Sequence, residues 1–448
     1  MQIDNNSNSS ARQRLAYLFD DGEYTEINSF VKEKDSAAGV ITAYGYVNGS
    51  LVYAFSQDKT INSGAVGMAH ADKIVKLYAM AEKTGKPIVA VHDSNGAFVD
   101  GTVESMTAYG KMLASASRLS GVVPQIAVIA GVCAGSAALL ACSADFVIMT
   151  EESEFFVAPP FDSKTDGAGT ASAAAKSGTA SLVCEDDEAA MAAAKELLRL
   201  LPENNLSPLP VFEYEDSSIA ASASILDTVK AIADEDTITE LYAGYGKASY
   251  TAIASLNGSA VGIAATGNGS DKLTGDDCSK LARFVRTCDA FAIPVITIIN
   301  TEGFAEDGSI KDMTKLANSY AEATCAKLAL ITGKAYGAAF VAFCGGNTNA
   351  DLTYAWENAV ISPFAPLTAA EFLWHDKLKG TSDVTAARNE LADEYARTLG
   401  SAVSAAEKGC IDEIIDAAET KAKLASALEI LAGKRVAKLP KKHNNIPF

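Results

Sequence analysis

Residues 124–137 read Pro-Gln-Ile-Ala-Val-Ile-Ala-Gly-Val-Cys-Ala-Gly-Ser-Ala, and residues 326–339 read Ala-Lys-Leu-Ala-Leu-Ile-Thr-Gly-Lys-Ala-Tyr-Gly-Ala-Ala. In both stretches an apolar run typical of a buried strand ends in Gly-x-x-x-Gly followed by small residues. Small residues at a strand-to-helix junction let a ligand approach the backbone closely, and the free N–H groups of the first helical turn then point at any oxyanion placed there. The two stretches therefore predict two equivalent sites that stabilise negative charge without a reactive side chain.

The repeat extends well beyond these two glycine loops. On both sides of them, strand-like runs and turn motifs recur in the same order and at nearly the same spacing. The matching pairs are Asn48-Gly49-Ser50 with Asn257-Gly258-Ser259, 87–96 with 294–303, and Ala144-Asp145-Phe146 with Ala350-Asp351-Leu352. The chain is thus predicted to be a tandem duplication of one α/β unit of roughly 200 residues.

Helical spacing of apolar residues between these strands completes the α/β pattern. Helices are predicted over 71–82, 103–119, 188–201, 277–288 and 312–324, and a loop with one short helix over 162–181. A proline-rich segment and then an acidic one follow the helix at 188–201. The second domain is therefore predicted to start near Ser217, which gives domains of residues 1–216 and 217–448.

Composition excludes several classes of protein. The 448 residues carry a formal net charge of −19, which disfavours a nucleic-acid partner because phosphate contacts need a basic surface. No stretch approaches the ~18–20 uninterrupted apolar residues of a membrane span, and the N-terminus lacks the features of a secretory signal. We expect a cytoplasmic protein, associated with a membrane only through partner subunits.

Cysteine and histidine usage offers no metal or redox centre. None of the eight cysteines forms a C-x-x-C pair, so reduced and mostly buried thiols are expected, and no metal site. Cys133, inside the first loop, invites a nucleophile hypothesis, but no histidine falls at a comparable place in the chain. His92 is interpreted as a hydrogen-bonded structural residue, and His70 as the cap of the helix near Ala71. His443 belongs to a basic tail, 438–443, which either is solvated or meets CoA phosphates or a neighbouring subunit.

A set of further motifs runs in order from about residue 12 to the end of the chain. They are 56–58 (Ser-Gln-Asp), 67–74 (Gly-Met-Ala-His-Ala-Asp-Lys-Ile), 92–97 (His-Asp-Ser-Asn-Gly-Ala), 120–126, 133–135 (Cys-Ala-Gly), 201–206, 283–291, 334–337 (Lys-Ala-Tyr-Gly) and 440–447. Each is weak alone. As an ordered set they resemble the carboxyltransferase subunits of biotin-dependent acyl-CoA carboxylases and decarboxylases, of the propionyl-CoA carboxylase beta and methylmalonyl-CoA decarboxylase alpha type.

The resemblance implies two tandem crotonase-like (ClpP/crotonase) domains, assembled as a homohexamer. It places the acyl-CoA on the N-terminal domain of one protomer and biotin on the C-terminal domain of its partner. The backbone N–H groups of Gly135 and Ser136 would then hold the thioester oxygen, and those of Ala338 and Ala339 the ureido oxygen of biotin. The neighbouring positions carried over are Gly96, Ala97, Cys133 and Ala134 for acyl-CoA, and Gly303, Phe304, Tyr336, Gly337 and Val341 for biotin.

The chemistry of carboxyl transfer explains why two such loops are needed. Moving a carboxyl group between a biotin nitrogen and the α-carbon of an acyl-CoA passes through two anions, a thioester enolate and a deprotonated urea. Each anion needs an oxyanion hole, and a lost donor typically costs about 3 kcal/mol. The biotin nitrogen can take the α-proton itself, so the scarcity of histidine causes no difficulty.

Absences in the sequence define the expected partners. The chain has no Ala-Met-Lys-Met-like biotin attachment site and no P-loop. Biotin is therefore expected on a separate biotin carboxyl carrier protein. A biotin carboxylase subunit would make the chain carboxylate its substrate, whereas a sodium-pumping decarboxylase subunit would make it decarboxylate. The first choice of substrate is propionyl-/methylmalonyl-CoA.

Several positions depart from the family pattern and leave alternatives open. Gly135-Ser136 and Gly337-Ala338-Ala339 replace glycine-richer runs, Phe340-Val341 replaces a Tyr-Asp pair that bears on acyl-chain choice, and Phe98 replaces an arginine. The region after Pro160 is shortened and lacks histidines that the family has. Two rival hypotheses remain. One is a biotin-independent crotonase-like hydrolase, isomerase or decarboxylase, and the other is a non-catalytic structural subunit.

Overall fold

The computed structural model describes residues 9–159, 167–222, 224–306, 309–379, 381–437 and 439–445. The chain divides into two compact units, Met1–Pro210 and Val211–Phe448. The predicted start of the second domain, near Ser217, falls a few residues beyond this division. Each unit is an α/β domain built around its own sheet.

In its described residues the first unit contains an eight-stranded sheet, a two-stranded hairpin and six α-helices. Its strands are β1 Tyr24–Ile27, β2 Lys32–Glu33, β3 Ser36–Ala37, β4 Val40–Val47, β5 Ser50–Gln57, β6 Ile88–Ser94, β7 Gln125–Ala134, β8 Phe146–Thr150, β9 Glu154–Phe156 and β10 Leu182–Cys184. Its helices are α1 Ser10–Leu18, α2 Met68–Thr84, α3 Val103–Leu119, α4 Ser136–Cys142, α5 Ala171–Lys176 and α6 Asp187–Leu200. The sheet order is β1-β4-β5-β6-β7-β8-β10, with β9 paired to the far end of β7.

The second unit repeats this arrangement. Its strands are β11 Thr239–Glu240, β12 Ser249–Leu256, β13 Ser259–Thr266, β14 Lys272–Leu273, β15 Val295–Thr301, β16 Gly303–Phe304, β17 Lys327–Tyr336, β18 Leu352–Trp356, β19 Val360–Ser362 and β20 Glu413–Ile415. Its helices are α7 Ile225–Ile232, α8 Gly275–Ala290, α9 Ile310–Glu322, α10 Gly337–Phe343, α11 Pro366–Leu378, α12 Val384–Arg397, α13 Ala402–Glu407 and α14 Thr420–Leu431. The sheet order β11-β12-β13-β15-β17-β18-β20, with β19 paired to β17, matches the first sheet strand for strand, which confirms the predicted duplication.

The predicted helices are all present, with ends shifted by a few residues at most. Of the predicted loop at 162–181, residues 162–166 lie outside the described residues, and α5 is the short helix expected in it. The helical hairpin of α11 and α12 has no counterpart in the described part of the first unit and was not predicted. Pro366 opens α11 at its first residue, where its missing N–H costs nothing.

The asparagine-glycine motifs form the hairpin turns between paired strands in both units. Asn48 and Gly49 have φ of 50° and 75°, and Asn257 and Gly258 have φ of 49° and 75°, as two-residue hairpin turns require. In each unit an aspartate caps the turn: Asp20 accepts from the Asn48 and Gly49 amides, and Asp234 does the same for the second turn. The repeated motif is therefore structural.

A buried lysine recurs at the same place in the two units. Lys73 in α2 donates from Nζ to the carbonyl of Val40 at 2.5 Å, and Lys280 in α8 donates to the carbonyl of Ser249 at 2.9 Å. Val40 and Ser249 are the first residues of equivalent strands, β4 and β12. Burial lowers the pKa of each lysine to about 8. Each lysine ties a helix to the start of the strand that it covers.

The structure corrects the predicted role of His70. Helix α2 begins at Met68, so His70 lies inside its first turn and is fully buried. The cap comes instead from Glu33, whose Oε2 accepts from the amides of Ala69 and His70 at 2.8 and 3.2 Å. A carboxylate at this end of a helix also complements the helix dipole. The cap was missed because it lies far from the helix in sequence.

Candidate active site

The first predicted site lies where parallel strands β6 and β7 end side by side. Their pairing shifts between His92 and Ser94, and Ser94 then lies opposite Cys133. A Cβ built on Gly96 would come within 3.9 Å of the Ala134 carbonyl oxygen. The fold thus brings together Gly96, Ala97, Cys133 and Ala134, the residues predicted on the acyl-CoA side.

One of the two predicted backbone donors is not available. The Gly135 amide donates to the carbonyl of Phe156 at 2.9 Å and so continues the pairing of β7 with β9. This corrects the prediction that Gly135 offers its N–H to a ligand. Gly135 has φ of 64° and turns the chain into α4.

The next residues do offer free donors. Ser136 and Ala137 open helix α4, and their amides donate no hydrogen bond to any part of the chain that the structure describes. Ser136 is exposed. The amide of Ala97, also on an exposed residue, is equally unpaired among the described residues. Two arms, one after β6 and one after β7, therefore carry the donors of the first loop.

The first glycine of each Gly-x-x-x-Gly has a different role from the one predicted. Strands β7 and β17 continue through the motif, and a Cβ on Gly131 would come within 2.1 Å of the Asp93 carboxylate. A Cβ on Gly333 would meet the Asn300 amide group at 2.5 Å. These glycines therefore make room for a side chain from the neighbouring strand rather than for a ligand.

The second predicted site repeats the geometry of the first. Thr301 lies opposite Ala335, as Ser94 lies opposite Cys133, and a Cβ on Gly303 would come within 3.9 Å of the Tyr336 carbonyl oxygen. Ser94 and Thr301 hold the loops by accepting from the amides of Gly96 and Gly303 at 3.1 and 3.2 Å. This role of the two hydroxyl groups was not predicted from the sequence.

The donors of the second loop come from the start of α10. The parallel pairing of Tyr336 with Ser362 requires the Gly337 amide to donate to the Ser362 carbonyl, because Pro363 has no N–H for the alternative pattern. Gly337 is thus paired as Gly135 is with Phe156. The amides of Ala338 and Ala339 belong to the first turn of α10 and have no acceptor in the described loops and turns. Ala338 is exposed and Ala339 is buried. The second loop therefore keeps the two predicted donors.

Side chains at the two loops take little part in the sites. Cys133 is fully buried, and burial, helped by Cys142, raises the pKa of its thiol well above the ordinary value, which argues against a nucleophile. Tyr336 is 6% exposed, so its ring packs against its own domain. Val341, by contrast, is exposed on α10.

A buried charge network supports the first loop from behind. Arg14 of α1 donates to Asp93 Oδ2 at 2.9 Å, to Asp187 Oδ2 at 2.7 Å and to the Ala130 carbonyl at 2.8 Å. Arg14 and Asp93 are 5% and 3% exposed. Asp93 is the last residue but one of β6, and Ala130 lies four residues before the end of β7, so Arg14 holds both strands close to where the arms of the loop start.

Two histidines of the first unit, His70 and His92, are buried and do not face solvent. His92 is 1% exposed, and burial lowers its pKa to about 4; burial and then the charge of Lys73 lower the pKa of His70 to about 3. Neither ring nitrogen of His92 finds a hydrogen-bond partner among the described residues, and the ring packs edge-on against Phe55. The predicted structural role of His92 holds, but the predicted hydrogen bond is absent.

These shifts predict a dependence of stability on pH. A histidine whose folded pKa lies below its unfolded value of 6.5 binds fewer protons when folded, so stability falls as the pH drops from about 6.5 toward the folded pKa. Each buried histidine should cost the first unit roughly 2 kcal/mol between pH 7 and pH 5. His92→Leu should remove about half of this loss, as measured by urea unfolding at the two pH values. The same change at exposed His375 is the control, and an unaltered pH slope in His92→Leu would contradict the assignment.

Exposed apolar side chains recur around both loops. Val103 and Ile310 open equivalent helices, α3 and α9, and Leu139 and Val341 each follow the second glycine of a loop by four residues. Exposed apolar groups at a site indicate contact with a ligand or another chain. A cavity of about 770 Å³ lies elsewhere, between Val360, Thr398 and Ser404 in the second unit, and touches neither loop.

Other centres are not found in the described part of the chain. No group of three or more His, Cys, Asp or Glu residues there could hold a metal ion. No helix within the described ranges is long and apolar enough to cross a membrane. All eight cysteines are free, and five of them are buried.

The fold and the two loops define a protein with two tandem crotonase-like domains. In each domain two neighbouring parallel strands end at a loop that carries unpaired backbone N–H donors. The carboxyl transferase domain model matches residues 4–446. The chain belongs to this family.

Individual relatives agree with the family assignment. The chain is 35% identical to the methylmalonyl-CoA decarboxylase alpha subunit of Propionigenium modestum, covering 98% of this chain and 93% of that one. It is 34% identical to the methylmalonyl-CoA carboxyltransferase 12S subunit of Propionibacterium freudenreichii subsp. shermanii, with 98% and 91% covered. A crystal structure of a hexameric transcarboxylase 12S, with methylmalonyl-CoA and methylmalonic acid bound, superposes with a TM-score of 0.92 at 34% identity, covering 98% of this chain and 92% of that chain. The predicted family, fold and carboxyltransferase class are confirmed.

Proposed function

We propose that the chain is a carboxyltransferase subunit that moves a carboxyl group between carboxybiotin on a separate carrier protein and a short acyl-CoA, with propionyl-/methylmalonyl-CoA as the substrate pair. The observation that carries this proposal is the presence of two equivalent loops in one chain, each with unpaired amides on an exposed turn. A reaction with a single developing oxyanion needs only one such loop, whereas carboxyl transfer between two carbonyl compounds needs two.

The first loop is proposed to act on the acyl-CoA. The amides of Ser136 and Ala97 donate to the thioester oxygen, and Ala137 adds a further donor. When the bond between the α-carbon and the carboxyl group breaks, its electron pair moves into the thioester and leaves charge on that oxygen. Donors already fixed by the ends of β6 and β7 stabilise this charge without reorganising.

The second loop is proposed to hold biotin, and its residues fit that group. Two unpaired amides, at Ala338 and Ala339, suit a urea oxygen, which accepts hydrogen bonds and carries negative charge when the ring nitrogen is deprotonated. When bound, biotin supplies the nitrogen that gives up or takes the carboxyl group and exchanges the α-proton. The chain's own contribution is to orient the ureido oxygen.

The proposal extends to the assembly. Exposed apolar residues around both loops fit a homohexamer in which each site is completed by a neighbouring chain. A hexamer is the assembly of the 12S relative. Biotin carboxyl carrier protein and either a biotin carboxylase or a sodium-pumping decarboxylase subunit remain the expected partners, and the direction of transfer depends on which of these is present.

The geometry weighs against both rival hypotheses. A structural subunit should have all of its loop amides paired or blocked, yet the amides of Ala97, Ser136 and Ala338 have no partner in the described loops and turns and belong to exposed residues. A biotin-independent enzyme of the crotonase type should place a histidine or carboxylate in the first cleft. His92 and Asp93, near the end of the strand that leads to the first loop, are buried instead.

Ala338→Pro tests the second loop. Proline removes the amide N–H at an exposed first-turn position of α10, where its ring is tolerated. Biotin-dependent decarboxylation of methylmalonyl-CoA should fall about ten- to a hundredfold, less than for a sole donor because Ala339 keeps its N–H. The affinity for propionyl-CoA, measured by calorimetry, should stay unchanged. Equal losses of turnover and of acyl-CoA affinity would contradict separate sites.

A further inference from the structure

The two loops differ in one respect that the duplication does not explain. Lys334, inside the second loop, carries an ammonium group that lies 2.8 Å from Glu302 Oε1 and 3.3 Å from Asp271 Oδ1. At the equivalent positions the first unit has Val132, Asn95 and Gly64, none of which is charged. The charged cluster of Lys334, Glu302 and Asp271 is therefore present at the second loop and has no charged equivalent at the first.

The cluster joins three segments that build the second site. Asp271 immediately precedes β14, and Glu302 immediately precedes β16. Lys334 is the third residue from the end of β17, which is followed directly by Gly337. The backbone amide of Lys334 is held as well, since it donates to Asn300 Oδ1 at 3.0 Å. One side chain thus connects the segment that carries Gly303 and Phe304 with the strand that leads into α10.

The charges in the cluster also matter to a loop that binds an anion. Burial lowers the pKa of Lys334, but the hydrogen bonds and charges of Glu302 and Asp271 outweigh that effect and raise it. Lys334 therefore stays protonated and does not act as a base. Without it, two carboxylates would remain next to the loop and would repel negative charge developing on a bound urea.

We propose that Lys334 is a positioning residue for the second loop: it fixes the spacing of the two arms of the loop and neutralises the carboxylates of Glu302 and Asp271 beside the bound urea. This inference rests on the proposed function, in which the second loop receives biotin. It assigns to Lys334 an effect on biotin and none on the acyl-CoA bound at the first loop.

The test compares the KM for free biotin in methylmalonyl-CoA decarboxylation among four proteins. Lys334→Met should raise this KM about tenfold, the effect of one lost charge-assisted interaction, with the affinity for propionyl-CoA unchanged. Lys334→Arg, which keeps the charge, should stay within about twofold of the unaltered protein. Lys423→Met, which breaks the exposed pair of Lys423 with Glu413, is the control and should change neither quantity.

A second variant separates repulsion from a general loss of structure. Glu302→Gln added to Lys334→Met removes one of the two uncompensated carboxylates and should recover part of the biotin affinity. The same KM for biotin in Lys334→Met and unaltered protein would overturn the inference and leave the proposed function standing. A parallel loss of propionyl-CoA affinity would also overturn it, because it would show a general structural role. Unaltered protein whose turnover ignores biotin would overturn the proposed function and this inference together.

Discussion

Ser136→Pro should lower the turnover of methylmalonyl-CoA about a hundred- to a thousandfold, equivalent to about 3–4 kcal/mol of lost transition-state stabilisation. Ser136 is the first residue of α4, and proline is well accepted at that position because the N–H it removes has no partner within the helix. The preceding glycine, with φ of 64°, does not restrict the ring. The substitution therefore removes a proposed catalytic donor while keeping the helix.

Ser136→Ala is the matched control. It keeps the amide and loses only the hydroxyl group, and alanine already occupies the equivalent position, Ala338, in the second loop. Its turnover should stay close to that of the unaltered protein, and both variants should melt at similar temperatures. Full turnover in a folded Ser136→Pro protein would exclude the Ser136 amide from the reaction. A large loss in Ser136→Ala would shift the role from the amide to the hydroxyl group.

Arg14→Met should destabilise the first unit by about 3–5 kcal/mol and abolish turnover. The substitution leaves the Asp93 carboxylate buried without its cation, and breaking a buried pair from one side costs that much. Among the described residues Asp93 Oδ1 has no hydrogen-bond partner, and Lys59 lies 3.8 Å from it on a half-exposed side chain. Because Asp93 and Ala130 precede both arms of the first loop, the loss of Arg14 should displace the donors as well. Urea unfolding and turnover measure the two effects.

Two comparison proteins sharpen this prediction. Arg12→Met removes an arginine from the same helix that pairs with Glu26 at a partly exposed site, and it should cost no more than about 1 kcal/mol. Asp93→Asn added to Arg14→Met should recover part of the stability, since the equivalent residue of the second unit is the neutral Asn300. If Arg14→Met and Arg12→Met lowered stability equally, the buried network would not support the loop as described.

Much of the fold could be predicted because the sequence contains the same pattern of strands and turns twice. The paired runs around Gly131 and Gly333 fixed the strands, and apolar periodicity placed the helices to within a few residues. The hairpin of α11 and α12 was missed because the described part of the first unit holds no second copy that could point to it. The strands were predicted to end before Gly131 and Gly333, but β9 and β19 supply further pairing partners that let them continue, and these partners are distant in sequence.

The site was predictable in its location but not in its contacts. The small residues after Gly135 and Gly337 marked the two loops correctly. Whether a given amide is free depends on long-range pairing, such as that of Gly135 with Phe156, which no local pattern reveals. The roles of Arg14 and Lys334 were missed for the same reason. Arg14 is 79 residues from its partner Asp93, and Lys334 is 32 residues from its partner Glu302.

The central claim is that two backbone sites in this chain transfer a carboxyl group to biotin. It is tested most directly by incubating the purified protein with carboxyl-labelled methylmalonyl-CoA, with and without free biotin. The account predicts biotin-dependent loss of label from the thioester, formation of propionyl-CoA and recovery of the label as carboxybiotin. Loss of label at the same rate without biotin would contradict the claim in favour of a simple decarboxylase. No turnover of malonyl-, methylmalonyl- or glutaconyl-CoA by the folded, assembled protein would contradict it in favour of a structural subunit.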